Sequence, residues 1–405
     1  MKTIQLILVM LLVTPAGFVS GQTASYSAKR PLSAPHPLYT PYVDVTLWPP
    51  FDISNIDATG ICIYTLAFIV DNQNQEGANP CWGGYASLDT SWYQNEIAAL
   101  RAQDGEVIVS FGGANGSPLA YVAADAFELR DAYKIIIDAY QLQSVDFDIE
   151  GMFTAHPESV ERRSEAMKLL QDEYPDLQIS LTLPVMPYGL TPDGINVISS
   201  AVEHDVDISV VNIMAMDYGG SRDMGTKAVD AMEHTFDQLK SVYEDAGTPK
   251  PDSLIWQMIG VTPMIGQNDV AGEIFYLDDA KEVRDFALEK NIGRIAIWSA
   301  NRDKQCESSS DPLYACSHIE QDDFEFSYLF QQNGTASYCN PNAAINLQDD
   351  LPQINVYPNP AAGYFTISGV DNAIITIAQL SGKTVKKLNI QNENNKVDIS
   401  ESVYP

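Results

Sequence analysis

The chain alternates between two hydrophobic periods. Short runs rich in Val, Ile and Leu occur at residues 43–47, 61–70, 106–111, 145–149, 178–184, 208–216, 254–261 and 294–299. Their length and composition predict strands. Between several of them the apolar residues recur at helical spacing, at 93–102, 126–141, 159–173, 226–246 and 277–289. Eight predicted strands interleaved with helices across residues 36–330 match the pattern and size of an α/β fold, the (β/α)8 TIM barrel. An open doubly wound sheet has the same local periodicity, so motifs have to separate the two.

Both ends depart from this alternation. Residues 1–21 start with Lys2, continue into an apolar run from Ile4 to Val13, and close on Val19, Ser20 and Gly21. A basic start, a short apolar stretch and small residues predict a signal peptide, and the run is too short to span a bilayer. No membrane span is expected later in the chain, and the mature protein is expected outside the cell. Residues 331–350 are polar, with Asn-Gly, Asn-Pro and Asp-Asp pairs, and read as a linker. Residues 351–405 return to short β runs at 354–357, 364–367 and 374–378, which predict a small β-sandwich-like domain. Its opening, Val356-Tyr357-Pro358-Asn359-Pro360, resembles the V-Y-P-N-P run of type IX secretion sorting domains. That resemblance implies the secretion machinery as a partner, and a partial domain, because the chain reaches Pro405 before the last strands of such a domain. A small carbohydrate-binding module has a similar strand pattern.

Charge narrows the partners. Lys and Arg number 23 against 54 Asp and Glu, a net charge of −31. Such a surface repels phosphate backbones and anionic lipid headgroups, so nucleic acid and membrane surfaces are excluded as expected partners, whereas a neutral polysaccharide is not. The five cysteines, Cys62, Cys81, Cys306, Cys316 and Cys339, show no metal-binding spacing, and His is scarce. No metal and no cofactor is expected. In an exported protein disulfides are the natural reading. Proximity in sequence pairs Cys62 with Cys81 and Cys306 with Cys316, leaving Cys339 over. A monomer is expected.

The chemistry concentrates in Val145-Asp146-Phe147-Asp148-Ile149-Glu150-Gly151. Alternate residues of a strand share a face, so Asp146, Asp148 and Glu150 form one acidic row, with Val145, Phe147 and Ile149 opposite. In a closed barrel the acidic row points inward. Carboxylates crowded into a poorly solvated interior cannot all ionise, so at least one keeps its proton near neutral pH, as a general acid must. A solvated edge strand would also alternate, and a hard-cation site would also use carboxylates, but no Asp/Asn/Gly-rich loop accompanies the row.

The row resembles the D-x-D-x-E core of glycoside hydrolase family 18, with Gln143 in place of that pattern's outermost Asp. Ser110-Phe111-Gly112-Gly113 resembles the family's S-x-G-G, and Met214-Ala215-Met216-Asp217 its M-x-Y-D. Trp298 resembles the tryptophan that floors the sugar site from the eighth strand. The resemblance, over roughly residues 40–330, implies a secreted chitinase acting on chitin or N-acetylglucosamine oligosaccharides by a substrate-assisted retaining route. Glu150 would be acid and then base. Asp148 would orient the 2-acetamido group, and Asp146 would hold or share a proton with Asp148. Asp217, Met214 and Met216 would line the sugar site. Met216 stands where the family has Tyr and cannot donate a hydrogen bond, and Tyr218 is a candidate replacement. Phe68 and Trp48, along with Trp82, are candidates to extend the cleft, and Gln257 to face the sugar from the seventh strand. Only about 33 residues separate Val261 from Arg294, too few for the α+β insertion of tunnel-like relatives. An open groove is therefore implied. An endo-β-N-acetylglucosaminidase acting on N-glycans, or a chitin lectin on the same barrel, are the alternatives.

Overall fold

The computed structural model describes residues 37–219 and 223–331, together with strands near both ends of the chain. The chain divides into two compact units, Lys29–Ala343 and Met1–Ala28 with Ala344–Pro405.

The larger unit is built on parallel strands. The first comes in two pieces, Leu38–Tyr39 and Tyr42–Asp44, and is followed by Ile63–Asp71, Glu106–Gly112, Ser144–Asp148, Gln178–Met186, Ile208–Ala215, Ile259–Pro263 and Arg294–Ile295. Neighbours in sequence are neighbours in the sheet. Closure falls on the first strand. Its Leu38–Tyr39 half pairs with Arg294–Ile295, and its Tyr42–Asp44 half pairs with Thr65–Ala67. Backbone bonds continue the last strand past its paired segment, from Ala296 N to Val261 O at 2.8 Å and from Trp298 N to Pro263 O at 2.9 Å. Every strand therefore has two partners, which is how a barrel removes its edges.

Helices cover the outside for reasons visible in sequence. Ala126–Tyr140 begins at Asp125, whose carboxylate accepts from Phe127 N and Glu128 N, a side-chain N-cap. Leu129, Ala132, Tyr133, Ile136 and Tyr140 face inward at helical spacing. Tyr133 meets Phe147 edge-on at 4.9 Å, and Phe147 stacks on Phe111 at 5.5 Å. The outward side of the acidic strand thus has an aromatic layer to pack on. Pro157–Glu173, Met224–Asp245 and Leu277–Lys290 likewise turn buried residues inward at helical spacing.

Two expectations need correction. Residues 254–261 are not one strand. Asp252–Gln257 is helical and the strand starts at Ile259. Trp256 stacks on Phe236 at 4.4 Å, so its apolarity serves a helix–helix contact. Cys62 and Cys81 are not paired: Cys62 is disulfide-bonded, while Cys81 is a free, buried thiol. Cys81 lies opposite Val70 in a hairpin, and Cys62 precedes the other end of that strand. Eight strand residues span roughly 26 Å, far beyond disulfide reach. The Cys306–Cys316 bond is present.

In the smaller unit, Asn355–Tyr357, Tyr364–Ser368 and Asn394–Asp398 form one sheet, and Lys2–Ile7, Ala373–Ala378 and Thr384–Ile390 another. Of the expected signal peptide only Lys2–Ile7 is described. Cys339, residues 332–350 and most of the V-Y-P-N-P run lie outside the described residues.

Candidate active site

The barrel interior is polar where the acidic strand crosses it. Register places Ser110, Asp146 and Ser180 in one row and Gly112, Asp148 and Thr182 in the next. Asp146 is fully buried. Its Oδ2 accepts from Tyr42 Oη at 3.0 Å and Ser110 Oγ at 2.7 Å. Its Oδ1 accepts from Ser180 Oγ at 2.6 Å and Thr182 Oγ1 at 2.8 Å. Arg294 Nη1 stands 3.7 Å away and donates to Ser180 Oγ at 2.9 Å. Four hydroxyls occupy the carboxylate's roughly four acceptor positions. In this arrangement none is left for Asp148.

Asp148 is buried, and its Oδ1 has no hydrogen-bond partner. Burial, then the charges of Glu150 and Asp146, hold its carboxyl well above the usual range. Glu150 closes the row as the residue before a 3-10 turn, Gly151–Thr154, and is half-buried. Burial first, and the Asp217 charge second, push its carboxyl up to about 7. The third strand can approach this closely only through glycine. A Cβ on Gly112 would fall 1.9 Å from Asp148 O, and one on Gly113 2.6 Å from the Phe68 ring, both at positive φ.

The row opens into a groove of about 400 Å3 at the C-terminal ends of the strands. Trp298 forms one wall, stacked on Phe68 at 5.5 Å and edge-on to Tyr42 at 6.0 Å. Met214, Met216 and Asp217 line the groove from the sixth strand. Asp217 is held at φ 56°, with its Oδ1 accepting from Val270 N at 3.0 Å. Burial raises its carboxyl above the usual range.

Seven of the residues singled out from sequence therefore come together here: Asp148, Glu150, Phe68, Met214, Met216, Asp217 and Trp298. Asp146 lies beneath them. Four do not join the lining. Trp82 is fully buried, its Nε1 donating to Tyr140 Oη at 2.8 Å. Trp48 is 85% exposed on the loop after the first strand. Tyr218 packs in the hydrophobic core with its hydroxyl unpartnered and its N donating to Glu273 Oε2 at 3.0 Å. Gln257 ends the helix before the seventh strand, at the opposite end of the barrel from the groove. Sequence reasoning missed Tyr42, Asp44, Thr182 and Thr262 in the lining. Tyr42 and Asp44 alternate in their strand as the acids do in theirs, and that was the available signal.

Asp146→Ala strands four hydroxyls and Arg294 in a dry interior. We expect a loss of about 3–5 kcal/mol of stability, read as a fall in the denaturant midpoint at unchanged m-value.

Comparison with known proteins gives matches of two kinds. The secretion system C-terminal sorting domain model matches residues 355–403. The catalytic domain of a hyperthermophilic chitinase from Pyrococcus furiosus is 33% identical with a TM-score of 0.65, covering 72% of this chain and 93% of that one. A probable bifunctional chitinase/lysozyme of Escherichia coli (strain K12) is 36% identical over 312 residues, 73% of this chain and 34% of its own length. Endochitinase 11 of Metarhizium anisopliae is 38% identical over 284 residues, 66% of this chain and 53% of its own length. The chain thus spans about a third and about half of these two relatives. A sorting domain of this kind on a chain with such relatives belongs to a secreted or cell-surface protein. Among the described residues no helix is long and apolar enough to cross a membrane.

Proposed function

The chain belongs to the chitinases of glycoside hydrolase family 18, and from that premise we propose that it hydrolyses the β-1,4 bonds of chitin with Glu150 as general acid and base. The observation that carries the reading is the pairing of a half-buried Glu150, with its carboxyl up at about 7, and a buried Asp148 with an unpartnered oxygen. A carboxyl at about 7 is protonated through the acid range and can hand its proton to a glycosidic oxygen. The two carboxyls need no second enzymic nucleophile if the substrate's own acetamido oxygen attacks the anomeric carbon, a recognised exception to the two-carboxylate rule. The bond from that carbon to the leaving oxygen breaks as Glu150 protonates it. Asp148 Oδ1 accepts from the acetamido N–H and balances the charge of the oxazolinium ion that forms. Glu150, now a carboxylate, takes a proton from water as water opens the ion, giving net retention. The indole of Trp298 offers an apolar face for the sugar to rest on. The C-terminal domain delivers the enzyme through the secretion machinery.

The test is release of soluble products from chitin oligosaccharides by the full chain. Release establishes the substrate class. A folded chain that releases nothing from chitin but trims N-glycans is an endo-β-N-acetylglucosaminidase, and one that only binds is a lectin.

The electrostatics add a pH prediction. Asp217 raises the Glu150 carboxyl by its charge. Asp217→Asn removes that charge, so the basic limb of kcat/KM moves to lower pH. The move is smaller than the whole elevation, because burial is the larger cause. A pH–rate profile in which the limb stays put or moves up contradicts the assignment of that limb to Glu150.

A further inference from the structure

The sixth strand ends between two prolines. Met214 pairs with Pro184 and Ala215 with Pro263, and there the ladders on both sides stop. Neither proline carries an N–H. Beyond that point the N–H groups of Asp217 and Tyr218 have no strand to donate to. They donate instead to side chains of one hairpin, Gly266–Gln267 with Ile274–Phe275, which follows the seventh strand. Asp217 N donates to Asn268 Oδ1 at 3.4 Å and Tyr218 N to Glu273 Oε2 at 3.0 Å. In return, Val270 N on the hairpin donates to Asp217 Oδ1. The hairpin is itself anchored. Asn268 Nδ2 donates to Met264 O at 2.8 Å and Gly266 O at 3.1 Å, and Asn268 N to Glu273 O at 3.0 Å. Arg302, past the last strand, donates from Nη2 to Gln267 O at 2.6 Å.

Two features set this clamp apart from ordinary packing. Asp217 sits at φ 56°, in the left-handed region that residues other than glycine rarely adopt. Side-chain acceptors on two consecutive N–H groups hold it there. Glu273, for its part, is a fully buried carboxyl whose Oε1 has no partner among the described residues. An idle carboxyl oxygen in a dry interior is costly, and local arrangements that cost stability collect at functional sites. Neither Asn268 nor Glu273 lines the groove.

We propose that Glu273, assisted by Asn268, is a positioning residue for the cleavage reaction: acting through the backbone of Asp217 and Tyr218, it keeps the Asp217 carboxyl facing Glu150. The inference rests on the reading of the groove given above and adds to it a residue that touches no substrate. After burial, the Asp217 charge is what raises the Glu150 carboxyl. The other charges around Asp217 are Asp269 and Glu273 on the hairpin, which raise its carboxyl, and Arg302, whose guanidinium Asp217 and Asp269 stabilise. Asp230, on the helix Met224–Asp245, acts on Tyr218. Position and charge have opposite signs here. Removing the Glu273 charge alone lets Asp217 ionise more readily, which raises the Glu150 carboxyl further. Letting Asp217 drift away lowers it.

The experiment is the pH profile of kcat/KM on a chitin hexasaccharide, measured on the full chain. Glu273→Met removes both acceptor oxygens at similar size. Its basic limb should move to lower pH, a loss of about threefold near pH 8 from a weakened charge contact. Glu273→Gln keeps an acceptor for Tyr218 N and loses the charge, so its limb should hold or move up. Glu273→Met added to Asp217→Asn should move the limb no further than Asp217→Asn alone, because the effect runs through that carboxyl. Asn268→Ala frees Asp217 N and leaves Tyr218 N with Glu273. It should move the limb the same way by less, and it keeps the test open if Glu273→Met does not fold. A limb that stays put in both Glu273→Met and Asn268→Ala overturns the proposal, as does one that falls equally in Glu273→Met and Glu273→Gln. A folded parent with no activity on the hexasaccharide brings down the reading of the groove, and this inference with it. An active parent whose variants leave the limb in place brings down this inference alone.

Discussion

Glu150→Gln should lower kcat on chitin oligosaccharides by about 10²–10⁴, the range that a positioned general acid supplies, with little change in KM. The amide keeps the shape of the carboxyl and loses the proton. Ground-state binding through Trp298 and Phe68 is untouched, so the loss belongs in kcat. The same substitution should stabilise the fold, in a pH-dependent way. The folded-state carboxyl sits at about 7 against an ordinary 4.5. A raised carboxyl contributes fully below its unfolded pKa and loses that contribution as pH rises through the folded one. Glutamine does not titrate. The variant and parent should therefore melt together near pH 4, separate between about 4.5 and 7, and stay apart above that. Holding the proton from about 4.5 up to about 7 is worth about 3 kcal/mol, or several degrees in Tm for a domain of this size. A variant that is inactive yet no more stable at pH 8 than its parent would show that burial of this charge is not what tunes the acid. One that keeps a near-full rate would remove Glu150 from the mechanism.

That prediction was accessible from one strand. The alternation of acids and apolar residues from Val145 to Glu150 specifies its two faces, because side chains repeat every two residues. Phe147 against Phe111 and Tyr133, and Asp146 among hydroxyls, are the two faces realised. The hydroxyls themselves were not accessible in the same way. Tyr42, Ser180 and Thr182 come from strands separated from Asp146 by helices, and only the register across the barrel makes them neighbours. Ser110 was noticed through its glycines, which a Cβ would drive into Asp148 O at Gly112 and into the Phe68 ring at Gly113. Chain order as a guide to space held for Cys306 and Cys316 and failed for the other pair. Cys62 and Cys81 are 19 apart in number but are held apart by a nine-residue strand. Residues 254–261 show the other failure, since a short apolar run does not distinguish a helix that packs by Trp256 from the strand that follows it.

The polar interior also bears on rigidity. Asn212 donates to Tyr42 Oη at 3.2 Å, to Thr182 Oγ1 at 3.1 Å and to Thr262 Oγ1 at 2.7 Å. Gly260 leaves room for it, because a Cβ there would come within 2.9 Å of Asn212 Oδ1. This network ties the first, fifth, sixth and seventh strands to Asp146. A satisfied buried network is stiff, and it holds Asp146 in place while Asp148 remains short of partners. Of the two buried aspartates, Asp148 is therefore the one positioned to exchange contacts with a substrate.

Asp148→Asn should lower kcat by about 10²–10³, the cost of removing one charge aimed at a transition state, and leave KM nearly unchanged. The asparagine fits the same space and can still accept from an acetamido N–H through its oxygen. It cannot balance the positive charge that grows on the acetamido group as the oxazolinium ion forms. That interaction exists only at the transition state, so its loss belongs to kcat. The pH profile gives an independent reading. The working state of the pair carries one proton, on Glu150 and not on Asp148, so the rate should fall on both sides of an optimum. Burial, with Glu150 and Asp146 nearby, holds the Asp148 carboxyl well above its usual range, which brings the acid limb up towards neutrality. The variant has no carboxyl to protonate there. Its residual activity should be flat on the acid side and still fall as pH rises through about 7. An acid limb that persists in Asp148→Asn would assign that titration to another group, and Asp217, also raised by burial and facing the same groove, would be the one to replace next.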